Sequence, residues 1–314
     1  MKSRLHAYFG TFRQMEVILT LFETGTVHAT ADTLHLTQPT VSQQLKKLRD
    51  VIGLPIYEQV GRKLVFTDVG LALVNTARDI LQSCEQLDMK LSQFKGVTAG
   101  TLRISVVTTA KYFIPHLLGT FCAHYPGVDI KFKVGNRQQI IDRVNDGIDD
   151  FYVFSHVPEG PELEVMPIVD NPLVAIAPRH SKWHVEQEIS LAEFAKMPFI
   201  IRESGSGTRH AIESFMRAHN IDLNIRMTIE SNEAIKHTVM SGFGVSILSS
   251  HTLAVGESTN IALLKVHSLP ITTQWSFVWR RKKLLTPVAD AFLQYMNSEG
   301  KNRLLQGFQF LSPD

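Results

Sequence analysis

A regular run of apolar residues between positions 73 and 94 constrains the fold more than any other feature of the sequence. Its members are spaced alternately four and three residues apart, so they share one stripe of a helix, as in helices paired in a coiled coil. At 1.5 Å per residue, a helix from Asp68 through this run is about 40 Å long. We predict a dimerisation helix over residues 68–95, with a single amphipathic helix packed on its own domain as the alternative. The run consists of Leu73, Ala77, Ile80, Cys84, Leu87, Leu91 and Phe94.

The residues before and after this helix follow different patterns, so the helix divides the chain into two parts. Before it, apolar spacing predicts three short helices, followed by two strands that flank Gly61 as a hairpin. Thr37 and Pro39 are strong start signals for the third helix. After it, strands alternate with helices, which predicts βαβ units and a mostly parallel sheet. We expect a mainly α winged helix-turn-helix over residues 1–67 and an α/β domain over residues 96–314.

Composition and charge exclude several classes of protein. The 314 residues are 44% hydrophobic and 20% charged, as in ordinary globular proteins, and they include only Cys84 and Cys122. We interpret these cysteines as packed small residues in a reducing, cytoplasmic setting rather than as a redox pair. The first ten residues hold no apolar stretch typical of a signal peptide, and no run reaches the roughly 20 apolar residues of a membrane span. We therefore expect no membrane partner.

The third predicted helix carries a short, polar and basic face opposite its apolar stripe. The net charge of +2 lies wholly in residues 1–95, which hold 11 basic and 9 acidic side chains. In a major groove, Gln can pair with adenine, Lys can reach guanine, and Thr can contact a thymine methyl or a phosphate. A solvated helix face is the simpler alternative. The candidate DNA-contacting residues are Thr37, Gln38, Pro39, Thr40, Ser42, Gln43, Lys46 and Lys47, with Arg62 and Lys63 at the hairpin tip.

Residues 29–70 resemble the DNA-binding domain of LysR-type transcriptional regulators. The resemblance is carried by residues 31–48, 53–58, 61–62 and 66–70. Arg49 stands where the family usually has Glu, and Gln59 where Arg is common, so the preferred DNA site transfers less well than the fold.

The order of elements matches the family along the whole chain. The resemblance implies a C-terminal two-lobed effector domain similar to periplasmic binding proteins, with lobe I at about residues 101–163 and 268–300 and lobe II at about residues 164–267. It also implies a homotetramer, assembled as a dimer of dimers on double-stranded DNA with an imperfect inverted repeat. A small metabolite effector and RNA polymerase would be its other partners.

A glycine-rich turn at residues 203–209 follows a predicted strand and opens a helix, where free backbone N–H groups favour an anion. His210 and Ser204 replace the glycines that a dinucleotide fingerprint and a nucleophile elbow would need. Taken alone, the turn is most simply a helix cap. The resemblance makes it a ligand loop that faces residues 108–111 across a cleft. The candidate effector-binding residues are Thr108, Thr109, Lys111, Arg202, Glu203, Ser204, Ser206, Thr208, Asn232 and Phe243.

Residues 112–115, 204–209 and 231–235 are similar to regulators of RuBisCO (Calvin-cycle) operons, a subgroup that responds to phosphorylated or nucleotide metabolites. We therefore expect a DNA-binding regulator switched by a small, anionic metabolite, without catalytic residues, metal or cofactor. His180 and His184 are four residues apart, but we interpret them as solvated because Ser181 replaces the Glu of a zinc motif. The alternatives are a two-lobed solute-binding protein whose N-terminal domain is secondary, and an enzyme.

Overall fold

The structure is a computed structural model that describes residues 10–60, 63–94, 98–160, 162–183, 187–254, 260–281 and 283–304. The chain forms two compact units, Met1–Phe94 and Lys95–Asp314. The described part of the first unit contains three short helices, a hairpin and one long helix, as predicted. These elements are α1 (Phe12–Thr24), α2 (Val27–Thr33), α3 (Gln38–Ile52), β1 (Tyr57–Val60), β2 (Lys63–Phe66) and α4 (Asp68–Phe94).

The boundaries of the helices in the first unit follow from local side-chain chemistry. The hydroxyl of Thr37 caps α3 by accepting a hydrogen bond from the amide of Thr40, and Pro39 occupies the first turn. Gly25 and Gly53 end α1 and α3 with φ angles of 74° and 71°. A residue without Cβ adopts this left-handed conformation without strain, so both helices stop where the glycines occur.

The heptad stripe of α4 is divided between a buried half and an exposed half. Leu73 and Ala77 are buried in the core that α1, α2 and α3 also form. Leu87, Leu91 and Phe94, by contrast, are 59%, 50% and 88% exposed. The first half of the helix thus packs on its own domain, while the second half presents the apolar stripe expected of a dimerisation helix.

The second unit alternates strands with helices. Its strands are β3 (Ala99–Val107), β4 (Gly127–Gly135), β5 (Phe151–Phe154), β6 (Leu163–Pro178), β7 (Phe199–Arg202), β8 (Ile225–Ile229), β9 (Ser246–Ser249), β10 (Ile261–Leu263) and β11 (Ile271–Arg280). Its α-helices are α5 (Ile114–His124), α6 (Arg137–Asp146), α7 (Leu191–Lys196), α8 (Gly207–Ala218), α9 (Asn232–Met240), α10 (Ser250–Leu253) and α11 (Pro287–Tyr295). A 3₁₀ turn, Thr108–Tyr112, follows β3, and a π-helical turn, Met296–Gly300, follows α11.

The main sheet is mixed, so the prediction of a mostly parallel sheet is wrong. Its order is β10-β6-β11-β5-β3-β4, with β9 also paired to β6. Only the pairs of β3 with β4 and with β5 are parallel, whereas β6 and β11 run antiparallel to their partners. Alternation of strands and helices predicts their order but not their direction. The full length of β6 could not be predicted either, because its first half is partly exposed and its continuous apolar run begins only at Leu173.

The long strands β6 and β11 join the two lobes of the second unit. At one end β11 pairs with β5, and at the other end β6 pairs with β9 and β10. We call the part built on β3–β5 lobe I and the part built on β7–β10 lobe II. Aromatic rings fill lobe I, where Phe121, Phe151 and Phe277 each lie 5.1–5.4 Å from the ring of Phe292. A separate parallel pair, β7 and β8, belongs to lobe II.

The described residues lack both a membrane-spanning helix and a cluster of metal-binding side chains. They contain no helix with the length and apolar character needed to cross a bilayer. They also contain no group of three or more His, Cys, Asp or Glu side chains able to hold a metal ion. His184 lies outside the described residues, so the interpretation of the His180–His184 pair stays a prediction.

Candidate functional site

The predicted DNA-reading face of α3 is open to solvent. On the opposite side of α3, Val41, Leu45 and Leu48 are buried in the core of the first unit and anchor the helix there. Thr40 is half-buried, and the other predicted residues of this face are exposed. Those exposed residues are Thr37, Gln38, Pro39, Ser42, Gln43, Lys46 and Lys47.

The start of the face is ordered by side-chain hydrogen bonds, while its centre is free. The hydroxyls of Thr37 and Thr40 lie 2.8 Å apart, and the Gln38 amide nitrogen lies 3.1 Å from His28 Nδ1 on α2. The polar side chains of Gln43, Lys46 and Lys47 are also exposed. Within the described part of the chain they make no side-chain hydrogen bond or ion pair, so they are available to an outside partner. Sequence reasoning missed His28, because nothing in the linear pattern links it to Gln38.

The hairpin tip cannot be compared with its prediction. Arg62 lies outside the described residues, and only the backbone of Lys63, in β2, is described.

A small pocket lies where residues of lobe I and lobe II meet. It forms at the carboxyl ends of β3, β5 and β7, the usual position of ligand sites in α/β sheets. Two helix N-termini, those of α6 and α8, also border it. The lining residues are Val107, Thr108, Thr109, Asn136, Arg137 and Ser155 from lobe I, and Arg202, Ser206, Gly207 and Thr208 from lobe II.

Arg202 is buried in this cavity wall and is neutralised by its neighbour in sequence. Its Nε and Nη2 lie 2.7 Å and 2.9 Å from the carboxylate oxygens of Glu203. Its Nη1 donates to Oδ1 of Asn232, and the amide of Asn232 donates to the Thr109 hydroxyl at 3.1 Å. This chain of contacts connects the two lobes behind the cavity.

A second connection between the lobes is formed by Lys111, Tyr112 and Glu233. The ammonium of Lys111 lies 2.9 Å from Oε1 of Glu233, and the Tyr112 hydroxyl donates to the same oxygen at 2.5 Å. Burial acts to raise the pKa of Glu233, but hydrogen bonds from Tyr112 and Lys111 outweigh it and lower that pKa to about 2. Burial and the hydrogen bond to Glu233 raise the pKa of Tyr112. The carboxylate is therefore ionised at neutral pH and holds both partners.

The structure brings most, though not all, of the predicted effector residues together. Thr108, Thr109, Arg202, Ser206 and Thr208 line the cavity. Ser204 lines a neighbouring cavity of about 230 Å³ that shares Arg137 and Ser206 with the first. Glu203, Asn232 and Lys111 stand behind the lining residues, in the contacts described above.

Phe243 does not line either cavity. Its ring is 42% exposed and lies under the guanidinium of Arg226, with 5.1 Å from that group to the ring centroid. The glycines beside it serve the backbone, since a Cβ on Gly244 would lie 2.2 Å from the carbonyl oxygen of Pro198. The pattern Gly-Phe-Gly therefore reflects a tight turn in this chain.

Among the five lining residues outside the predicted set, three carry polar side chains: Asn136, Arg137 and Ser155. Asn136 caps α6 through a capping box with Gln139, and this motif could have been found from the spacing. Arg137 and Ser155 follow strands β4 and β5 without any distinctive pattern. Burial lowers the pKa of Arg137, and its Nε is buried without a hydrogen-bond partner.

Two family models match the chain. Residues 12–71 match the bacterial regulatory helix-turn-helix protein, lysR family, and residues 95–301 match the LysR substrate binding domain. Among relatives, the HTH-type transcriptional activator CmpR of Synechocystis sp. is 41% identical over 91% of this chain and 95% of its own length. A RuBisCO operon transcriptional regulator of Acidithiobacillus ferrooxidans is 34% identical over 93% of this chain and 96% of its own length. These relatives confirm the resemblance to the RuBisCO-operon subgroup.

Solved structures agree with both units. The regulatory domain of Synechocystis CcmR, in complex with 2-PG, is 40% identical, with a TM-score of 0.61 over 65% of this chain and 98% of that domain. Full-length CbnR in complex with its target DNA is 20% identical, with a TM-score of 0.66 over 91% of this chain and 99% of CbnR, and supports the fold. With a helix-turn-helix unit, a two-lobed unit and relatives that match nearly end to end, the chain belongs to the LysR family of bacterial transcriptional regulators.

Proposed function

We propose that this regulator reads double-stranded DNA through the exposed face of α3 and changes its output when a small phosphorylated anion binds in the cavity between its lobes. The part of this proposal that concerns DNA is supported by the unpaired polar side chains at the centre of the exposed face of α3. Gln43, Lys46 and Lys47 are presented by a capped, core-anchored helix and have no partner within the described part of the chain. This is the arrangement that a recognition helix needs in a major groove.

The effector follows from the cavity and from one relative. The cavity is small, is lined by hydroxyl, amide and guanidinium groups, and faces the N-terminus of α8, all of which favour an anion. The CcmR regulatory domain, at 40% identity, is in complex with 2-PG. A small phosphorylated carboxylate of this kind is the ligand class that we propose for this chain, bound non-covalently and without a cofactor.

The assembly and the partners are part of the same proposal. The exposed stripe of Leu87, Leu91 and Phe94 supports pairing of two chains through α4. Two such pairs would give a homotetramer on a DNA site with an imperfect inverted repeat, since a two-fold protein favours a two-fold site. A regulator of transcription acts in the cytoplasm and on RNA polymerase. The relatives, all regulators, favour this role over that of an enzyme or a transport-associated binding protein.

The DNA-reading proposal is tested by selecting genomic fragments with the full-length protein at two salt concentrations. We expect enrichment of fragments that share an inverted repeat. Gln43→Ala should lower the ratio of specific to non-specific affinity by about tenfold, because a bidentate contact to a base contributes roughly 1–3 kcal/mol of discrimination.

Gln82→Ala, on α4 and outside the predicted face, is the matched control and should leave the ratio unchanged. Equal losses in specific and non-specific binding for Gln43→Ala would show that Gln43 does not read bases. Binding that is uniform along the genome and disappears with salt would indicate contact with phosphates alone.

A further inference from the structure

The charged side chains around the two cavities are paired, with one exception. The Nε of Arg202 lies 2.7 Å from Glu203, and the Nε of Arg209 lies 2.7 Å from Glu213. Arg137 lines both cavities, yet it makes no side-chain hydrogen bond or ion pair with any residue that the structure describes. Its Nε is completely buried and unpartnered. A partly desolvated guanidinium without a partner is unfavourable, so a bound anion at this position would be stabilised.

Arg137 lies at the boundary between the lobes. It is the first residue of α6 in lobe I, and its side chain runs along the first residue of α8 in lobe II. A Cβ built on Gly207 would lie 3.7 Å from Cδ and 3.8 Å from Cβ of Arg137. Next to it, the amide of Gln138 donates to the carbonyl oxygen of Gly205 at 3.2 Å, which fixes the two lobes against each other here.

Ser206 presents a second unpartnered group at the same place. The residue is only 3% exposed and lines both cavities. It is the N-cap of α8, but its side chain makes no capping hydrogen bond, unlike most serines in this position. No other hydrogen bond of its hydroxyl occurs within the described part of the chain. The hydroxyl can therefore donate to a ligand, together with the free amides that begin α8.

We propose that Arg137 and Ser206 hold the phosphate group of the effector at the boundary between the lobes. The inference rests on the proposed function, because it assumes that the cavity binds a small phosphorylated anion. A guanidinium fork, a hydroxyl and the first amides of a helix are donors that converge from different directions. A phosphate group, with three terminal oxygens and up to two charges, matches such a set better than a carboxylate does.

Because Arg137 belongs to lobe I and Ser206 to lobe II, the phosphate joins the lobes directly. Arg137 is then the residue that distinguishes phosphorylated from unphosphorylated ligands. Arg202, already neutralised by Glu203, contributes shape and hydrogen bonds rather than net charge.

Isothermal titration calorimetry of the full-length chain with 2-PG, and separately with inorganic phosphate, tests this assignment. Arg137→Gln should weaken both ligands by about tenfold or more, since a hydrogen bond to a charged group contributes roughly 1.5–3 kcal/mol. Arg137→Lys keeps the charge but not the fork, so its loss should be smaller. Ser206→Ala should weaken binding by a few-fold. Arg217→Gln, on the exposed end of α8, is the matched control and should bind like the wild type.

The titration of His210 gives a readout that a purely structural role of Arg137 would not produce. Burial and then the charge of Arg137 lower the pKa of His210, with His156 and Arg217 acting in the same direction and Glu213 in the opposite one. A phosphate bound to Arg137 should raise this pKa. Chemical shifts of His210, followed against pH with and without inorganic phosphate, should show the rise in the wild type and not in Arg137→Gln.

The outcomes separate this inference from the proposed function. If 2-PG binds the wild type and Arg137→Gln equally well, the assignment of Arg137 is wrong and the proposed effector class stands. If 2-PG does not bind, but inorganic phosphate binds the wild type and not Arg137→Gln, the effector class is wrong and the phosphate site stands. If neither compound binds the wild type, both are wrong. Should Arg137→Gln not fold, Arg137→Lys and Ser206→Ala decide by the same comparison.

Discussion

The substitution Asn232→Ala should destabilise the second unit strongly, because it removes two buried hydrogen bonds. Asn232 is completely buried, and its amide is the link between Arg202 of lobe II and Thr109 of lobe I. Alanine removes both hydrogen bonds and cannot replace either. The Arg202 guanidinium keeps its two bonds to Glu203, but its Nη1 loses an acceptor in a place that water does not reach easily.

The magnitude follows from the two lost bonds. A hydrogen bond to a charged group contributes roughly 1.5–3 kcal/mol, and a neutral one about 0.5–1.5 kcal/mol. Their sum predicts a fall of about 3 kcal/mol in the free energy of unfolding, which corresponds to a drop of roughly 6–12 °C in Tm for a unit of this size. The exposed Asn224 donates a single bond of 3.1 Å to the carbonyl oxygen of Lys196, so Asn224→Ala should cost less than about 1 kcal/mol.

Tryptophan fluorescence in urea is the appropriate assay, because all three tryptophans, Trp183, Trp275 and Trp279, belong to the second unit. The signal therefore reports the unfolding of this unit within the full-length chain, without interference from the helix-turn-helix. We expect a clear shift of the Asn232→Ala midpoint and almost none for Asn224→Ala. Equal midpoints for the two variants would refute the reasoning that the Arg202–Asn232–Thr109 contacts hold the lobes together.

Three further predictions concern packing and pH. Gly70→Ala should destabilise the first unit by about 1–3 kcal/mol, measured by circular dichroism, because the new Cβ would lie 1.9 Å from the carbonyl oxygen of Ile56. Gly119→Ala, inside α5 and facing open space, should instead stabilise the second unit by about 0.5–1 kcal/mol; destabilisation would contradict the packing argument. Burial lowers the pKa of His251 to about 4. In the unfolded chain this pKa is near 6.5, so between these values the unfolded chain binds more protons than the folded one. The folded state therefore loses stability as the pH decreases through this range. From about pH 7 to about pH 5, the wild type should lose about 2 kcal/mol more than His251→Gln in urea unfolding, and parallel pH profiles would exclude this role.

The helix-turn-helix could be predicted from the sequence because the boundaries of its helices are set by local residues. Thr37 with Pro39 starts α3, and Gly53 in the left-handed conformation ends it, as the residue types predict. The apolar stripe of Val41, Leu45 and Leu48 then fixes which face is buried, so the face left for DNA follows directly. None of these steps requires knowledge of a distant part of the chain.

The sheet was harder to predict from the sequence, because the direction of a strand depends on its connections and not on its composition. The apolar run at residues 173–177 is the end of β6, whose first half is only partly buried and shows no apolar run. β6 and β11 pair over ten positions, from Leu163 with Arg280 to Leu173 with Ile271. Partners about one hundred residues apart leave no periodic signal in either strand, so the antiparallel centre of the unit could not be foreseen.

Charges at the effector site were also misjudged, although part of the correction was available locally. Arg202 is a predicted effector residue and Arg209 ends the predicted ligand turn, but Arg202 is followed at once by Glu203, and Glu213 lies four residues beyond Arg209 on the same helix. Both acids pair with their base in the structure, and the spacing of four between Arg209 and Glu213 is one that favours pairing on a helix. Arg137 has no acid three or four residues away on either side, since these positions hold Val134, Lys133, Ile140 and Ile141. Arg137 is therefore one of several bases, with Arg103 and Lys111, that have no acid at these spacings. What the sequence could not supply is that the fold packs this side chain against α8, seventy residues further along, with its Nε buried, and thereby turns an unpaired charge into a candidate binding group.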